Sequence, residues 1–563
     1  MNGFWGPFKQ QPNVLILLTD QQRTAQYLPK DWVKTNLPNL WALMRGGVQF
    51  PNAMTSTTAC SPSRATLWTG TFPMINGVDS VGATLNMKAH PNLTTLGLAL
   101  ASYAPKGITY DIAFKGKWHL NKSFESGQTL AQQQEDADRA KQLSDNNAMQ
   151  STYGFPGWTS QDFGTAMAME LGGWKSGPVT IPEATINTMG AGYGGNDARV
   201  ATGTSYVTKT ESNPNGTVDS AKDWLAARAG KSDPSNPFCL IVSLLNPHDI
   251  FASPAGYTSA GYLPIASGPN KGKLPWQVAP FTDITTLPDS YDLSADQLAN
   301  KPSMQGNYRW TAAQGASEEA ERRAAALDYL RFYAYLETLS DALLGEVISA
   351  LTGDMAANTL IIRLADHGEM GMSQGGMIEK EHQAYNETLL VPMVFSNPGL
   401  PQAAVCTGLA GLIDVLPTLV EICQLSVPEG ILLQGTSVAP AIMAGASGST
   451  YHQLQFATND SGVEIRALID DNKYNAKYVA SYNGSSWQCE LYDFSYDPSQ
   501  NTPWPSEIIN QIPVNGLQDG GYASSQATQA TWSAMHAALT SAMQATNTTP
   551  PGWPATPPSV IPS

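Results

Sequence analysis

Asn13-Val14-Leu15-Ile16-Leu17-Leu18-Thr19 runs without a break into Asp20. Val14 to Leu18 put no polar residue on either alternating face, so this run fits a strand covered on both sides rather than one half open to water. Three further segments are built the same way. Tyr110-Asp111-Ile112-Ala113-Phe114 runs into Lys115-Gly116-Lys117-Trp118-His119, and Phe238-Cys239-Leu240-Ile241-Val242-Ser243-Leu244-Leu245 into Asn246-Pro247-His248-Asp249. Thr359-Leu360-Ile361-Ile362-Arg363-Leu364-Ala365 runs into Asp366-His367-Gly368-Glu369. Such runs predict a large, mostly parallel sheet flanked by helices. In an open α/β sheet ligands collect outside the carboxyl ends of the strands. Four polar termini therefore converge on one edge, which marks a site.

Around this sheet the pattern changes twice. Residues 317–351 repeat apolar side chains every three or four positions (Leu327, Leu330, Tyr333, Leu336, Leu339, Leu343, Val347, Leu351), which predicts a helix with a core-facing stripe and no further role. After about Gly448, short alternating runs at Val463–Ile469, Lys477–Tyr482 and Glu490–Asp493 predict a small antiparallel sheet. The expected division is a catalytic domain over 1–448, a small α+β domain over 449–543, and a Pro/Thr-rich irregular tail over 544–563. Residues 121–230 and 251–307 are rich in loop-forming residues and are expected to shape the rim of the site.

With 563 residues the chain can bury a large core and hold more than one domain. A formal net charge of −16 argues against nucleic acid as a partner, and it requires any anion site to be a local basic pocket. No apolar run approaches the length that spans a bilayer. Residues 1–11 lack the apolar core of a signal peptide, so a cytoplasmic protein without a membrane partner is expected. Five cysteines do not make a disulfide scaffold. Cys239, Cys406 and Cys423 lie in apolar segments and are expected to be buried thiols; Cys489, in a polar stretch, is unassigned.

The most specific chemistry lies in Cys60-Ser61-Pro62-Ser63-Arg64, continued by Ala65-Thr66-Leu67-Trp68-Thr69-Gly70. A lone Cys is ordinarily a small buried hydrophobe. Here Pro62 suits the first turn of a helix, whose start favours an anion, and Arg64 adds a planar fork of donors. The string resembles the C-x-P-S-R and T-G signature of the type I sulfatases, in the alkaline phosphatase superfamily. Gly116-Lys117-Trp118-His119-Leu120, Pro247-His248, Tyr385-Asn386-Glu387-Thr388 with Val391-Pro392, and Glu490-Leu491-Tyr492-Asp493-Phe494-Ser495-Tyr496-Asp497-Pro498 continue the resemblance.

The resemblance implies an alkaline-phosphatase-like α/β domain with a smaller C-terminal α+β domain. It also implies hydrolysis of a sulfate monoester to an alcohol or phenol and inorganic sulfate, as in arylsulfatases. Cys60 would be oxidised by a formylglycine-generating maturation enzyme to formylglycine (3-oxoalanine), whose hydrate is the nucleophile. By the same resemblance Arg64 fixes that group and the metal carboxylates, and Lys117 contacts the sulfate. His119 serves the second half of the reaction, His248 faces the leaving oxygen, and Lys380 binds sulfate and assists departure, with His382 as its rival.

A divalent metal ion would be held by Asp20, Gln21, Asp366 and His367 with the group at Cys60. Gln21 and His367 stand where the family more often has a carboxylate and an Asn. That pattern resembles the choline-sulfatase and phosphonate monoester hydrolase branches. A neutral carbonyl and an imidazole nitrogen suit manganese comparably with calcium.

Plainer uses exist for each residue: Asp20 at a strand end and Asp249 can simply cap the next element, and Lys117 and His119 singly are ordinary surface or hydrogen-bonded residues. Three rival functions remain. A phosphonate monoester or phosphodiester hydrolase shares the formylglycine site, although the intact Gly116-Lys117-Trp118-His119 string favours a sulfatase. A two-metal phosphatase needs more His and Asp ligands. A binding protein without turnover has no use for so complete a set.

Overall fold

The computed structural model describes residues 8, 10–121, 147–158, 195–202, 220–228, 233–253, 262, 264–293, 298, 301–308, 318–445, 453–460, 462–493, 511–512 and 526–557. The four predicted strands form as expected. With β1 (Asn13–Asp20), β2 (Gly47–Gln49), β3 (Ala53–Met54), β4 (Asp111–Gly116), β5 (Phe238–Pro247), β6 (Thr359–Ala365), β7 (Met393–Ser396), β8 (Ala404–Val405) and β9 (Ala410–Gly411), the main sheet has the order β4-β5-β1-β6-β7-β2-β8. β4, β5, β1 and β6 run parallel, β7 is antiparallel to both β6 and β2, and β3 pairs with β9 alone.

The reason is visible in β1. Val14, Ile16 and Leu18 enter one apolar core while Leu15 and Leu17 enter another on the opposite face. Successive side chains point to opposite faces of a strand, so a run without polar breaks requires cover on both. Register then brings the strand ends level: Thr19 sits opposite Ala365, Asp20 opposite Pro247, and Gly116 opposite Ser243.

The long helix spans Glu319–Ile348. Leu330, Tyr333, Leu336, Leu343 and Val347 of its stripe are buried, and Leu327, Leu339 and Leu351 are half-buried. The stripe is not its whole use. Asp341, also buried, accepts from the backbone N–H groups of Asn39 at 3.0 Å and Leu40 at 2.8 Å, holding the start of the helix Pro38–Arg45. Two tyrosines of the long helix reach the strand ends, as described below.

The C-terminal sheet is antiparallel in the order β10 (Gln453–Asp460), β11 (Val463–Asp470), β12 (Ala476–Tyr482), β13 (Trp487–Asp493) and β14 (Gln511–Ile512). One face packs on Met54 of β3 and on Met370, Met377, Tyr385 and Leu389 between β6 and β7. The other packs on Met535, Leu539 and Met543 of the helix Gln526–Thr546. That helix passes the expected boundary at Gln544, and beyond it Trp553 stacks on His536 with ring centroids 4.9 Å apart. The apolar face of the helix, rather than the Pro-rich composition, decides this part of the tail.

All five cysteines are free and buried, Cys489 included. Among the described residues no helix is long and apolar enough to cross a membrane. Most of the loop region over 121–230, the segment 494–498 of the terminal string and residues 558–563 lie outside the described residues.

Gly116 ends β4 with φ +96°, and a Cβ there would lie 2.0 Å from the carbonyl oxygen of Ser243. Gly107 has a similar φ of +86° but open space around it. We therefore expect Gly116→Ala to lower unfolding stability by about 2 kcal/mol or more, and Gly107→Ala by clearly less. Denaturant titration of the two variants checks this; equal losses would mean the close approach to Ser243 is not made.

Candidate active site

Cys60 opens the helix Cys60–Thr69, all ten residues of which are buried. Its cap residue, Ala59, has no side chain to satisfy the first-turn N–H groups, so the positive end of the helix is left for an anion. Arg64 lies one turn on, on the same face as Cys60. Its Nε is 2.9 Å from Asp366 Oδ2 and its Nη2 3.0 Å from Asp20 Oδ2. Nη1 donates to the backbone oxygen of Lys117 at 2.7 Å and to Ser243 Oγ at 2.8 Å. One guanidinium thus ties the helix to the ends of β1, β4, β5 and β6.

Asp20, Cys60, Asp366 and His367 are all buried, and each offers a ligand atom within 4.8 Å of the others. Cys60 Sγ is 3.1 Å from His367 Nε2 and 3.7 Å from Asp20 Oδ1. His367 Nδ1 lies 3.0 Å from the carbonyl oxygen of Gly368. That carbonyl takes the Nδ1 proton and turns Nε2 toward the cluster, the nitrogen that a metal ion would take in exchange for its proton. Two carboxylates, an imidazole nitrogen and the group at position 60 fit a divalent cation. Burial pulls the His367 pKa down, but the charges of Asp366, Cys60 and Asp20 outweigh it and lift it to about 9, the mark of a site rich in negative charge. Burial works against the charge of Asp20 too, yet Lys117 and Arg64 hold its carboxyl well below the usual range.

Gln21 has φ +62° and its backbone N–H donates to Asp366 Oδ1 at 3.0 Å. Its amide Nε2 faces Glu369 at 2.6 Å and Glu379 at 3.2 Å, while Oε1 accepts from Lys380 Nζ at 2.6 Å. As a metal ligand Gln21 would share that oxygen with the ammonium. Lys117 Nζ is 2.5 Å from Asp20 Oδ2. Arg64, Lys117 and Lys380 thus each face a carboxylate or an amide oxygen.

His119 is buried with φ +59°. Burial first, then the Lys117 and Arg64 charges, hold its pKa well below the ordinary value, so the imidazole is neutral. Burial also lowers His248, with Lys117 and Lys380 adding to the effect against Asp20. Burial opposes the charge of Lys380, but Glu381 and Glu379 outweigh it and keep the ammonium protonated. Asp249 is buried and accepts a hydrogen bond from Tyr262 Oη, a packing role.

Three residues escaped the sequence reading. Glu369 Oε1 accepts from Tyr329 Oη at 2.7 Å and from the N–H groups of Gly371 at 3.1 Å and Glu379 at 3.0 Å, while Oε2 takes Gln21. Tyr333 Oη accepts from the N–H of Arg23 at 3.0 Å and donates to the carbonyl oxygen of Gln21. Tyr329 and Tyr333 are one turn apart on the long helix, and that spacing was the available signal. The loop that Tyr329 braces through Glu369 carries Lys380 and has left-handed backbone at Met372, Gln374, Glu379 and His382, strain of the kind that gathers at functional sites.

A sulfatase family model matches residues 12–425. An uncharacterized sulfatase, YidJ, of Escherichia coli (strain K12) is 23% identical over 496 residues, covering 87% of this chain and 82% of that protein. A 2-O GAG sulfatase structure superposes with a TM-score of 0.62 at 20% identity, covering 96% of this chain and 93% of the other. The phosphonate monoester hydrolase of Agrobacterium radiobacter does so with a TM-score of 0.56 at 20% identity, covering 95% and 96%. The two superpositions carry the fold alone, whereas the family match takes in the ends of β1, β4, β5 and β6 and the cluster at Cys60: this chain belongs to the sulfatase family.

Proposed function

We propose that the protein hydrolyses a sulfate monoester to an alcohol or phenol and inorganic sulfate, with position 60 carried as formylglycine and one divalent cation at Asp20, Asp366 and His367. The observation that carries this reading is the meeting of Cys60 with two buried carboxylates and a correctly oriented imidazole, all fixed by Arg64. When present, formylglycine supplies a hydroxyl nucleophile and the cation supplies positive charge for the ester's anionic oxygens.

The chain's own residues do the rest. Arg64 and Lys117 together balance the charges of Asp20 and Asp366 and so let two buried carboxylates lie side by side. Lys117 and Lys380, both buried, offer N–H donors and charge to the sulfate oxygens. His119, held neutral, accepts a proton in the second half of the reaction. His248 is held neutral as well, so it serves the leaving oxygen as an N–H donor, and the protonated group on that side is Lys380.

A phosphonate monoester or phosphodiester hydrolase is the second reading, favoured by His367 in the ligand set. We expect kcat/KM for 4-nitrophenyl sulfate to exceed that for 4-nitrophenyl phenylphosphonate at least tenfold, about 1.4 kcal/mol in transition-state binding, and Cys60→Ala to abolish both activities. A preference for the phosphonate would replace the first reading by the second.

Cation binding is testable without turnover. Chelator-treated protein is expected to gain stability on adding calcium or manganese, by about 2.7 kcal/mol at a hundredfold excess over Kd. Asp366→Ala should remove that increment. Differential scanning fluorimetry reads both, and an increment unchanged in Asp366→Ala would move the ion elsewhere.

A further inference from the structure

Among the described residues only three large apolar side chains are strongly exposed: Val81, Phe251 and Val405. Val405 lies on the edge strand β8. Phe251 adjoins two residues of the site. Phe251, 41% exposed, sits on the turn His248–Ala252 directly after β5. Its ring centroid is 4.7 Å from that of His248, and Lys380 Nζ lies 4.6 Å from it over the ring face. Val81, 46% exposed, precedes Gly82, whose N–H donates to Ser61 Oγ at 2.9 Å, beside Cys60.

An apolar side chain left in water is unremarkable when scattered singly. Phe251 is set apart from such a residue because its ring lies against both groups assigned to the leaving oxygen. We propose that Phe251 is the platform for the alcohol part of the substrate, and that this part is a flat-faced ring, aryl or pyranose, rather than a small alkyl group. The inference rests on the hydrolase reading above.

The geometry gives the reason. An ester oxygen within reach of His248 and Lys380 brings the carbon that it leaves with to the neighbouring ring. A flat π or C–H face there excludes water from the Phe251 ring and gains contact over its whole area, as aromatic pairs do. A small alkyl group covers little of it. The Lys380 ammonium over the ring also fixes the Phe251 rotamer by a cation–π contact, so the platform is set before the substrate arrives.

Sulfonates test this without hydrolysis, because their C–S bond is not an ester. Calorimetry on the metal-loaded enzyme would compare phenylmethanesulfonate, 6-deoxy-6-sulfoglucose and methanesulfonate, for the wild type, Phe251→Ala and Phe251→Trp. Phe251→Ala should weaken at least one ring sulfonate about tenfold, the equivalent of about 1.4 kcal/mol, and change methanesulfonate less than twofold. Phe251→Trp should restore ring binding. Whichever ring loses more identifies the source, aryl or pyranose. Equal losses on all three ligands, no loss on any, or a wild type that binds methanesulfonate as tightly as both rings would overturn the inference. Failure of the hydrolase reading appears separately, as absence of sulfate ester turnover, which this binding experiment does not use.

Discussion

Everything at the strand ends depends on the Arg64 guanidinium. Asp20 and Asp366 close β1 and β6, adjacent parallel strands, and both are fully buried. Two carboxylates so placed repel each other and have lost their water. Arg64 supplies the counter-charge through separate nitrogens, in the planar geometry that Lys cannot reproduce. Removing one partner of such a buried group strands the remaining charge, at a cost of about 3–5 kcal/mol. Because Arg64 sits one helical turn from Cys60, the same contact aims position 60 into the cluster.

The remaining architecture serves that arrangement. Register between β1, β5 and β6 sets the carboxyl ends level, and the long helix braces them from behind through Tyr329 and Tyr333. Glu369 joins Gln21 to the strained loop that presents Lys380. From the opposite side of that loop, Glu490 of β13 receives the Tyr385 hydroxyl at 3.2 Å, and Lys301 holds Tyr385 and Gln374 at 2.8 Å each. The C-terminal sheet is thus part of the frame around the site.

Much of this was legible in the sequence because the strands are buried on both faces. A run such as Val14–Leu18 admits few other readings, and its terminal Asp20 is located by the strand itself. Lys117, His119 and Asp366 lie in short strings at such ends, whereas Cys60 and Arg64 were singled out by the string that resembles the sulfatase signature. What escaped depends on contacts distant in sequence. Tyr333 reads as one more apolar position in a stripe, and nothing local says that its hydroxyl meets Gln21 more than 300 residues away. Glu369 reads as an ordinary loop acid until its four donors are seen. Phe251 opens the region 251–307 expected to shape the rim of the site, but its exposure beside His248 and Lys380 is not written in residue type. Beyond Thr546 the described chain is irregular, as its composition suggests, but that Trp553 would stack on His536 of the preceding helix is not written in composition.

The central claim is that position 60 is not a cysteine in the working enzyme. The direct measurement is the intact mass of the tryptic peptide 46–64, taken from fully active protein made in its own host. This account predicts the mass of the aldehyde at residue 60. An unmodified thiol in fully active protein would contradict it.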